Sequence, residues 1–143
     1  MKKLLALLLL FVLLVLPACG GSKKPVSATI NEILSAYKEN GARADEMYKG
    51  KTLFILGVVT EIQSSSVRVI DVGGTTSQFL LAYFDAKSKD LKKVALLDVG
   101  DMIAVTGRIK NANFDINHRI GDSYMRLWDC ALVPLENPEE VPD

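Results

Sequence analysis

The stretch KTLFILGVVTEI, residues 51–62, is the part of the sequence that decides the fold. It is rich in β-branched and aromatic residues, which predicts a β-strand. The strand is longer than is usual, and Gly57 stands at its middle. A glycine inside a strand commonly marks a bend or bulge where a barrel turns a corner. The stretch therefore predicts the long first strand of a small barrel.

Four more strands are predicted after it, and a segment of different character divides them. Residues 86–101, AKSKDLKKVALLDVGD, predict a helical or irregular crossover between the third and fourth strands, whereas residues 111–123, NANFDINHRIGDS, predict a polar loop before the fifth. Five strands with such a crossover outline an all-β fold, the five-stranded Greek-key barrel called the OB-fold, whose closure removes exposed sheet edges. The four further strands begin near Ser66, Gln78, Met102 and Tyr124.

A helix is predicted before the barrel, over residues 27–40. Its apolar residues recur at intervals of three and four, which makes one apolar stripe that would pack on the barrel. Thr29 and Glu32 have the spacing of a capping box, and Asn40-Gly41 is a termination signal. A second short helical turn follows before Gly50.

The N-terminus has the pattern of a bacterial export signal. Two lysines precede an apolar run over residues 4–16, which is short against the ~20 residues of a spanning helix. Leu-Pro-Ala-Cys at 16–19 resembles the lipobox of bacterial lipoproteins, in which the cysteine thiol receives a diacylglycerol. We therefore expect a signal peptide over 1–18 and a lipid on Cys19. The alternative is an ordinary secretory signal with an incidental cysteine.

The predicted domain boundaries follow from this. Residues 19–26 predict a flexible tether, 27–135 the OB-fold domain with its N-terminal helix, and 136–143 a loose acidic tail. If the cell has an outer membrane, Gly20 after Cys19 favours sorting to that membrane, facing the periplasm.

Charge and cysteine count limit the possible partners. The whole chain carries 17 basic and 17 acidic residues; cleavage removes Lys2 and Lys3, which leaves 15 basic against 17 acidic, a net charge near −2. This balance offers no basic excess to attract nucleic acid. With Cys19 acylated, Cys130 has no cysteine to pair with, so it is expected to be a small buried apolar side chain.

Several blocks of the mature chain resemble one known family. These are residues 33–62, the block DVGDMIAVTGRI and the final LWDCALV. They are similar to the tRNA_anti-like family of OB-fold proteins, many of which are exported or lipid-anchored in bacteria. The resemblance spans about residues 30–133 and implies an OB-fold, but a fold does not by itself assign a function. The matching positions are Asn40, Ala44, Tyr48, Gly50, Gly57, Gly100, Asp101, Gly107 and Cys130.

Candidate ligand-binding residues lie on the second and third predicted strands, where OB-folds usually bind. Tyr83, if it points outward, could stack on a base or sugar, and Arg68 could contact a phosphate or carboxylate. The favoured alternative is a solvated Arg68, a half-buried Tyr83 and a core Phe84. Because side chains alternate along a strand, only one of Tyr83 and Phe84 can lie on a given face.

A second candidate set lies near the fourth and fifth strands. Arg108 and Arg126, with two further basic residues, could line a groove for an anionic ligand. Interspersed aspartates at 115, 122 and 129 would cancel much of that field, so a mixed solvated surface is favoured. Trp128 is expected in the core or at the barrel rim.

No catalytic constellation is evident in the sequence. His118 is the sole histidine; without a second histidine or a cysteine pair it makes a poor metal site, and no nucleophile accompanies it. We therefore expect no catalytic residue, no metal and no cofactor.

The expected function is a non-catalytic OB-fold binding module, held in the cell envelope by the lipid on Cys19. Its partner would be another envelope protein or a small ligand. The alternative is an OB-fold protein that binds nucleic acid or oligonucleotides, against which export and the acidic mature chain argue.

Overall fold

The computed structural model describes residues 24–135. The predicted signal peptide, Cys19, the first part of the tether and the acidic tail lie outside the described residues. Within them, no helix is long and apolar enough to cross a membrane. The strands are β1 Val26–Ser27, β2 Leu53–Ile62, β3 Ser66–Ile70, β4 Gln78–Tyr83, β5 Met102–Arg108, β6 Ile116–His118 and β7 Ser123–Val133. The helices are α1 Ile30–Glu39, α2 Gly41–Tyr48, α3 Leu91–Val94 and α4 Ala112–Asp115.

Five strands close into a barrel in the order β2-β3-β4-β7-β5, and β5 returns to β2. All contacts in this ring are antiparallel except that between β4 and β7, which is parallel. The five-stranded all-β barrel and the helical crossover between its third and fourth strands are therefore confirmed. Two short strands lie outside the ring: β1 pairs with β2, and β6 pairs with β7.

The core follows from strict alternation along the strands. Leu53, Ile55 and Val59 of β2 point inward and have no exposed surface. Leu80 on β4 and Met125 on β7 meet them from the other side of the barrel and are equally buried. Each such side chain contributes roughly 1.5–3 kcal/mol when it leaves water, so the inward rows hold the barrel closed.

Gly57 permits a close approach between strands. A Cβ at this position would collide with the carbonyl oxygen of Ile70 and with Val69 Cγ1 on β3. The predicted irregularity of the long strand is present, but the register shifts between Val59 and Glu61, a few residues after the glycine. Gly57 therefore allows β3 to pack closely against β2, whereas the bulge at Thr60 bends the strand.

The N-terminal helix packs on the barrel as predicted, against β4, β6 and β7. Thr29 Oγ1 accepts from Glu32 N–H at 3.1 Å, and Thr29 N–H donates to Glu32 Oε2 at 2.8 Å, so the capping box is formed. Asp71, after β3, also accepts the first two N–H groups of α1, at 2.8 and 2.9 Å. This second cap fixes the start of the helix to the barrel.

Two predictions about loops are wrong. Residues 111–123, expected to be a polar loop, contain α4 and β6, because Asp115 is buried there and β6 pairs with β7. Val26, expected in the flexible tether, pairs instead with Leu53 through β1. Both errors concern short elements whose stability comes from distant partners.

Candidate ligand-binding face

Alternating residues of β3, β4 and β7 form one outer surface of the barrel, which we call the ligand face. The register of the strands arranges its side chains in three rows. The middle row is basic at both ends, with Leu81 between Arg68 and Arg126, and the two flanking rows are aromatic. These flanking rows are Phe79 with Tyr124, and Tyr83 with Trp128 followed by Arg108.

The Arg68 guanidinium lies over the ring of Phe79, with its Cζ 3.6 Å from the ring centroid. Its Nη2 donates to the Thr76 carbonyl oxygen at 3.1 Å, and Nη1 stands 3.9 Å from a carboxylate oxygen of Glu61. The Nε–H is buried and has no partner among residues 24–135. Arg68 is therefore held in place while retaining donor capacity.

Arg126 is held in a similar way on β7. Its guanidinium lies 4.5 Å from the ring centroid of Phe114 and 5.2 Å from that of Tyr124. It donates from Nη1 to the Phe114 carbonyl oxygen at 2.7 Å and from Nη2 to the Tyr124 hydroxyl at 3.3 Å. Tyr124 in turn stacks on Phe79, with centroids 5.1 Å apart and planes 7° from parallel. Arginine and ring faces thus alternate across the strands.

Tyr83 and Trp128 form a second stack, with centroids 4.6 Å apart and an interplanar angle of 15°. The indole Nε1–H donates to Asp115 Oδ1 at 2.8 Å. The other carboxylate oxygen of Asp115 accepts the backbone N–H groups of Lys110 and Asn111, each at 2.9 Å. Asp115 is 1% exposed, so this carboxylate is buried with three donors. It joins the segment after β5 to the ligand face.

Acidic groups cancel less of the basic charge here than the sequence suggests. Asp129 pairs with Lys110 at 3.0 Å, which leaves Glu61, 3.9 Å from Arg68, and the buried Asp115 as the carboxylates that oppose Arg68, Arg108 and Arg126. Within the part of the chain that the structure describes, no carboxylate lies within ion-pair distance of Arg108, Arg119 or Arg126. The ligand face therefore keeps a local excess of positive charge.

Two open cavities lie away from this face. One, of about 690 Å³, lies among β1, α1 and α2, and the other, of about 580 Å³, lies between Tyr37 and His118. Neither includes a residue of the three rows. Aromatic rings and fixed arginines on an open surface suit an extended ligand that needs no deep cavity.

Comparison with known proteins agrees with this architecture. Residues 20–120 match the tRNA_anti-like family. The chain belongs to the tRNA_anti-like family. No curated protein matches it.

Solved structures resemble the tRNA_anti-like chain in fold. A crystal structure of a candidate nucleic acid-binding lipoprotein from Klebsiella pneumoniae superposes with a TM-score of 0.59 at 16% identity, covering 82% of this chain and 99% of that one. The S. pombe Stn1–Ten1 complex gives a TM-score of 0.42 at 16% identity, covering 78% of this chain and 79% of that one. The first of these likenesses supports the fold.

All four predicted binding residues of this tRNA_anti-like barrel lie on the ligand face. Arg68, Tyr83 and Arg126 belong to its rows, and the exposed Arg108 pairs in register with Trp128. Phe84, next to Tyr83, is 4% exposed and in the core, as alternation predicts. Tyr83 is half-buried, as the favoured alternative expects, and it stacks on Trp128. Arg68 is not simply solvated, because its guanidinium lies over Phe79 and its Nε is buried.

Several aromatic residues of the ligand face are not among the predicted binding residues. Phe79 and Tyr124 stack on each other, and Trp128, which the sequence predicts in the core or at the rim, stacks on Tyr83 at the outer surface. Alternation contains the missing signal: Tyr124, Arg126 and Trp128 share one face of β7. Phe114 comes from α4, inside the segment that was expected to be a loop, and is 57% exposed.

His118 is exposed and its Nδ1 lies 3.2 Å from the Ser123 hydroxyl. Across residues 24–135, no group of three or more histidine, cysteine or acidic side chains is placed to hold a metal ion.

Proposed function

We propose that this protein is a lipid-anchored, non-catalytic binding module of the bacterial cell envelope, and that it binds its ligand on the ligand face. The lipobox-like sequence before Cys19 supports the anchor. The Klebsiella structure of similar fold is that of a candidate lipoprotein, which is consistent with the same location. The barrel itself offers a surface of aromatic rings and arginines.

The observation that carries the proposal is the alternation of arginines with stacked aromatic rings. Guanidinium groups held against rings and hydrogen-bonded to the protein lose little conformational freedom when they meet an anion. Phe79 and Tyr124 are each only 8% exposed, so the half-buried Tyr83 and Trp128 are the stacked rings that a flat, apolar group can reach. The ligand face therefore suits a ligand that carries both anionic groups and planar rings.

A second, narrower candidate function is the binding of single-stranded nucleic acid. The specific observation in its favour is the pair Tyr83 and Trp128 beside Arg68 and Arg126, because single strands bind through base stacking and phosphate contacts. The candidate nucleic acid-binding activity of the Klebsiella neighbour points the same way. The mature net charge near −2 opposes it, so affinity would rest on the local field of the ligand face.

Anisotropy of a labelled oligothymidylate tests the ligand class. We expect Tyr83→Ala and Arg126→Ala each to weaken binding by about ten-fold or more, since one stacking contact is worth about 1–3 kcal/mol. Arg43→Ala is the matched control, because Arg43 is exposed on α2, away from the ligand face. Equal losses of affinity in Arg43→Ala and Arg126→Ala would mean that the oligonucleotide does not bind on the ligand face. Failure of the unmodified protein to bind would exclude single-stranded nucleic acid.

The anchor is tested by the intact mass of the protein from its membrane fraction. We expect a mass equal to the chain from Cys19 plus an acylated glyceride. Cys19→Ala should leave a poorly processed precursor whose barrel still folds. An unmodified mature mass, or a Cys19→Ala protein that matures at the same site, would contradict the lipid anchor.

A further inference from the structure

A second surface of the barrel, on β2 and β5, is apolar. Cross-strand register gives it three rows in which every outward residue but one is apolar and none is charged. We call this surface the apolar face. Its rows are Ile70, Val58 and Met102; then Leu56, Ala104 and Val133; then Phe54, Thr106 and Ala131.

Part of the apolar face is accessible. Leu56 is 41% exposed and Met102 is 49% exposed, and Val99, in the turn that leads into β5, is 67% exposed. Val58, Ile70 and Val133 beside them are half-buried, and Ala104 is 1% exposed, so the exposed part of the face lies around Leu56 and Met102.

The two faces adjoin on β3, β5 and β7, but each is centred on different strands, the ligand face on β4 and the apolar face on β2. β4, which carries Tyr83 and Phe79, is separated from the pair β2 and β5 by β3 on one side and by β7 on the other. A surface that covered the apolar face would therefore leave the β4 side of the ligand face open.

The chain enters the barrel beside the apolar face. β1 pairs with β2 at Leu53 and Phe54, so the described chain begins next to the row that contains Phe54. Cys19 precedes Val26 by seven residues, which span at most about 24 Å when fully extended. Lys23 and Lys24 lie in that short segment and would be attracted to anionic lipid headgroups.

We propose that the apolar face rests on the surface of the membrane that holds Cys19. This inference rests on the lipid anchor of the proposed function and adds an orientation to it. The anchor raises the effective concentration of lipid at the apolar face, so a contact too weak to bind a free protein is sufficient. The apolar side chains then enter the boundary between headgroups and acyl chains.

A second copy of the chain is a poorer occupant of the apolar face. Three strands about 4.8 Å apart and three rows along them cover on the order of 200–300 Å². A stable protein–protein interface needs about 800 Å² on each partner. The apolar face is thus too small to hold a dimer together by itself.

The test uses the full, acylated protein in vesicles of phosphatidylethanolamine and phosphatidylglycerol. An environment-sensitive fluorophore is attached at Met102→Cys or, as a matched control, at Asn113→Cys, an exposed site in α4 beside the ligand face. Cys130 is buried and Cys19 is blocked by its lipid, so labelling is confined to the new thiol. A quencher carried on the lipid acyl chains reports contact with the membrane.

We expect quenching at residue 102 to be about three-fold stronger than at residue 113, as for a side chain about 5–10 Å inside the interface. Equal quenching at the two sites would overturn the inference. A second copy on the apolar face would shift the emission of the probe at 102 to the blue without lipid quenching, and would also overturn it.

If a label at residue 102 disturbs β5, a second set of variants tests the same membrane contact. With the probe at Val99→Cys, the double change Leu56→Gln and Met102→Gln should reduce quenching by about two-fold or more, because polar side chains enter the interface less readily. Intact mass is recorded for every sample. An acylated protein without quenching contradicts the orientation alone, whereas an unacylated mass contradicts the anchor and the orientation with it.

Discussion

Asp115 shows how one buried residue shapes the ligand face. Its carboxylate accepts from two backbone N–H groups after β5 and from the Trp128 indole. The same segment places Phe114 over Arg126. Asp115 is therefore a positioning residue, which acts on a ligand only through Trp128 and Phe114.

Asp115→Asn should destabilise the protein while preserving the shape of the side chain. An amide has one oxygen and one NH₂ group, so it cannot accept from the indole and from both backbone N–H groups together. We expect the free energy of unfolding in urea to fall by about 1.5–3 kcal/mol, as for hydrogen bonds to a charged group. The emission of Trp128, the sole tryptophan, should shift as well. Asp122→Asn is the control at an exposed site, and an equal effect there would contradict the prediction.

Cys130 makes the stability of the protein depend on pH in the alkaline range. Burial raises the pKa of its thiol to about 12, from an ordinary value of 9.0. The unfolded thiol ionises first as pH rises above 9, so the stability that comes from the protonated folded thiol is complete below pH 9 and declines from there to about pH 12. Its decline is about 1.4 kcal/mol per pH unit within that window.

Cys130→Ser isolates this contribution, because serine does not titrate in that range. We expect the variant to be less stable than the parent protein at pH 7, since a hydroxyl is buried, and the difference to shrink between pH 9 and 10.5. Tyr37 and Tyr48, whose pKa values are also raised by burial, are common to both proteins and cancel. Urea unfolding at each pH measures the difference, and a constant difference would refute the prediction.

Among the strands, β2 depends most on the absence of a side chain at one position. A Cβ on Gly57 would meet the backbone of β3 at Ile70, and backbone cannot move aside as a flexible side chain can. Gly41, the first residue of α2, contrasts with it, because a Cβ there would have nothing within 4 Å.

Gly57→Ala should therefore reduce the free energy of unfolding by about 1–3 kcal/mol or more, the usual cost of overpacking. Gly41→Ala, the same chemical change, should be neutral or stabilise by up to about 1 kcal/mol, because it restricts the unfolded chain. Thermal or urea unfolding of the two variants compares them directly. Similar losses in both would mean that the strand approach at Gly57 is not the cause.

The elements found from the sequence are those that local interactions determine. The capping box of Thr29 and Glu32 and the alternation of β2 are encoded within a few residues. β1, α4 and β6 were missed because they depend on β2, on the burial of Asp115 and on β7. Tyr83 and Arg126 were found singly, but their assembly required the parallel pairing of β4 with β7, which no local pattern specifies.

The barrel as a whole carries two surfaces of different composition, the ligand face with its arginines and aromatic rings and the apolar face. β7 runs through both: Tyr124, Arg126 and Trp128 lie on the ligand face, and Ala131 and Val133 lie on the apolar face. Between them Asp129 adopts a φ of 54°, an uncommon conformation for a residue other than glycine. Asp129 therefore lies at the boundary between the ligand face and the apolar face on β7.

The charge of the whole chain is set largely by its C-terminus. Residues 136–143 contain four acidic residues and no basic one, so the mature chain changes from a net charge near −2 to +2, with 15 basic and 13 acidic residues, when they are removed. If the ligand is a polyanion, the full chain repels it over a distance set by salt. That distance is about 30 Å at 0.01 M and about 3 Å at 1 M ionic strength.

A chain that ends at Leu135 should therefore bind oligothymidylate several-fold more tightly at low salt and about equally well near 1 M salt. The matched control keeps the length and removes only the charge, by Glu136→Gln, Glu139→Gln, Glu140→Gln and Asp143→Asn. Anisotropy titrations at both salt concentrations should give the truncated and the neutralised chains the same affinity. A gain that persists at high salt, or one seen only on truncation, would mean that the acidic residues act through contact with the barrel and not through their net charge.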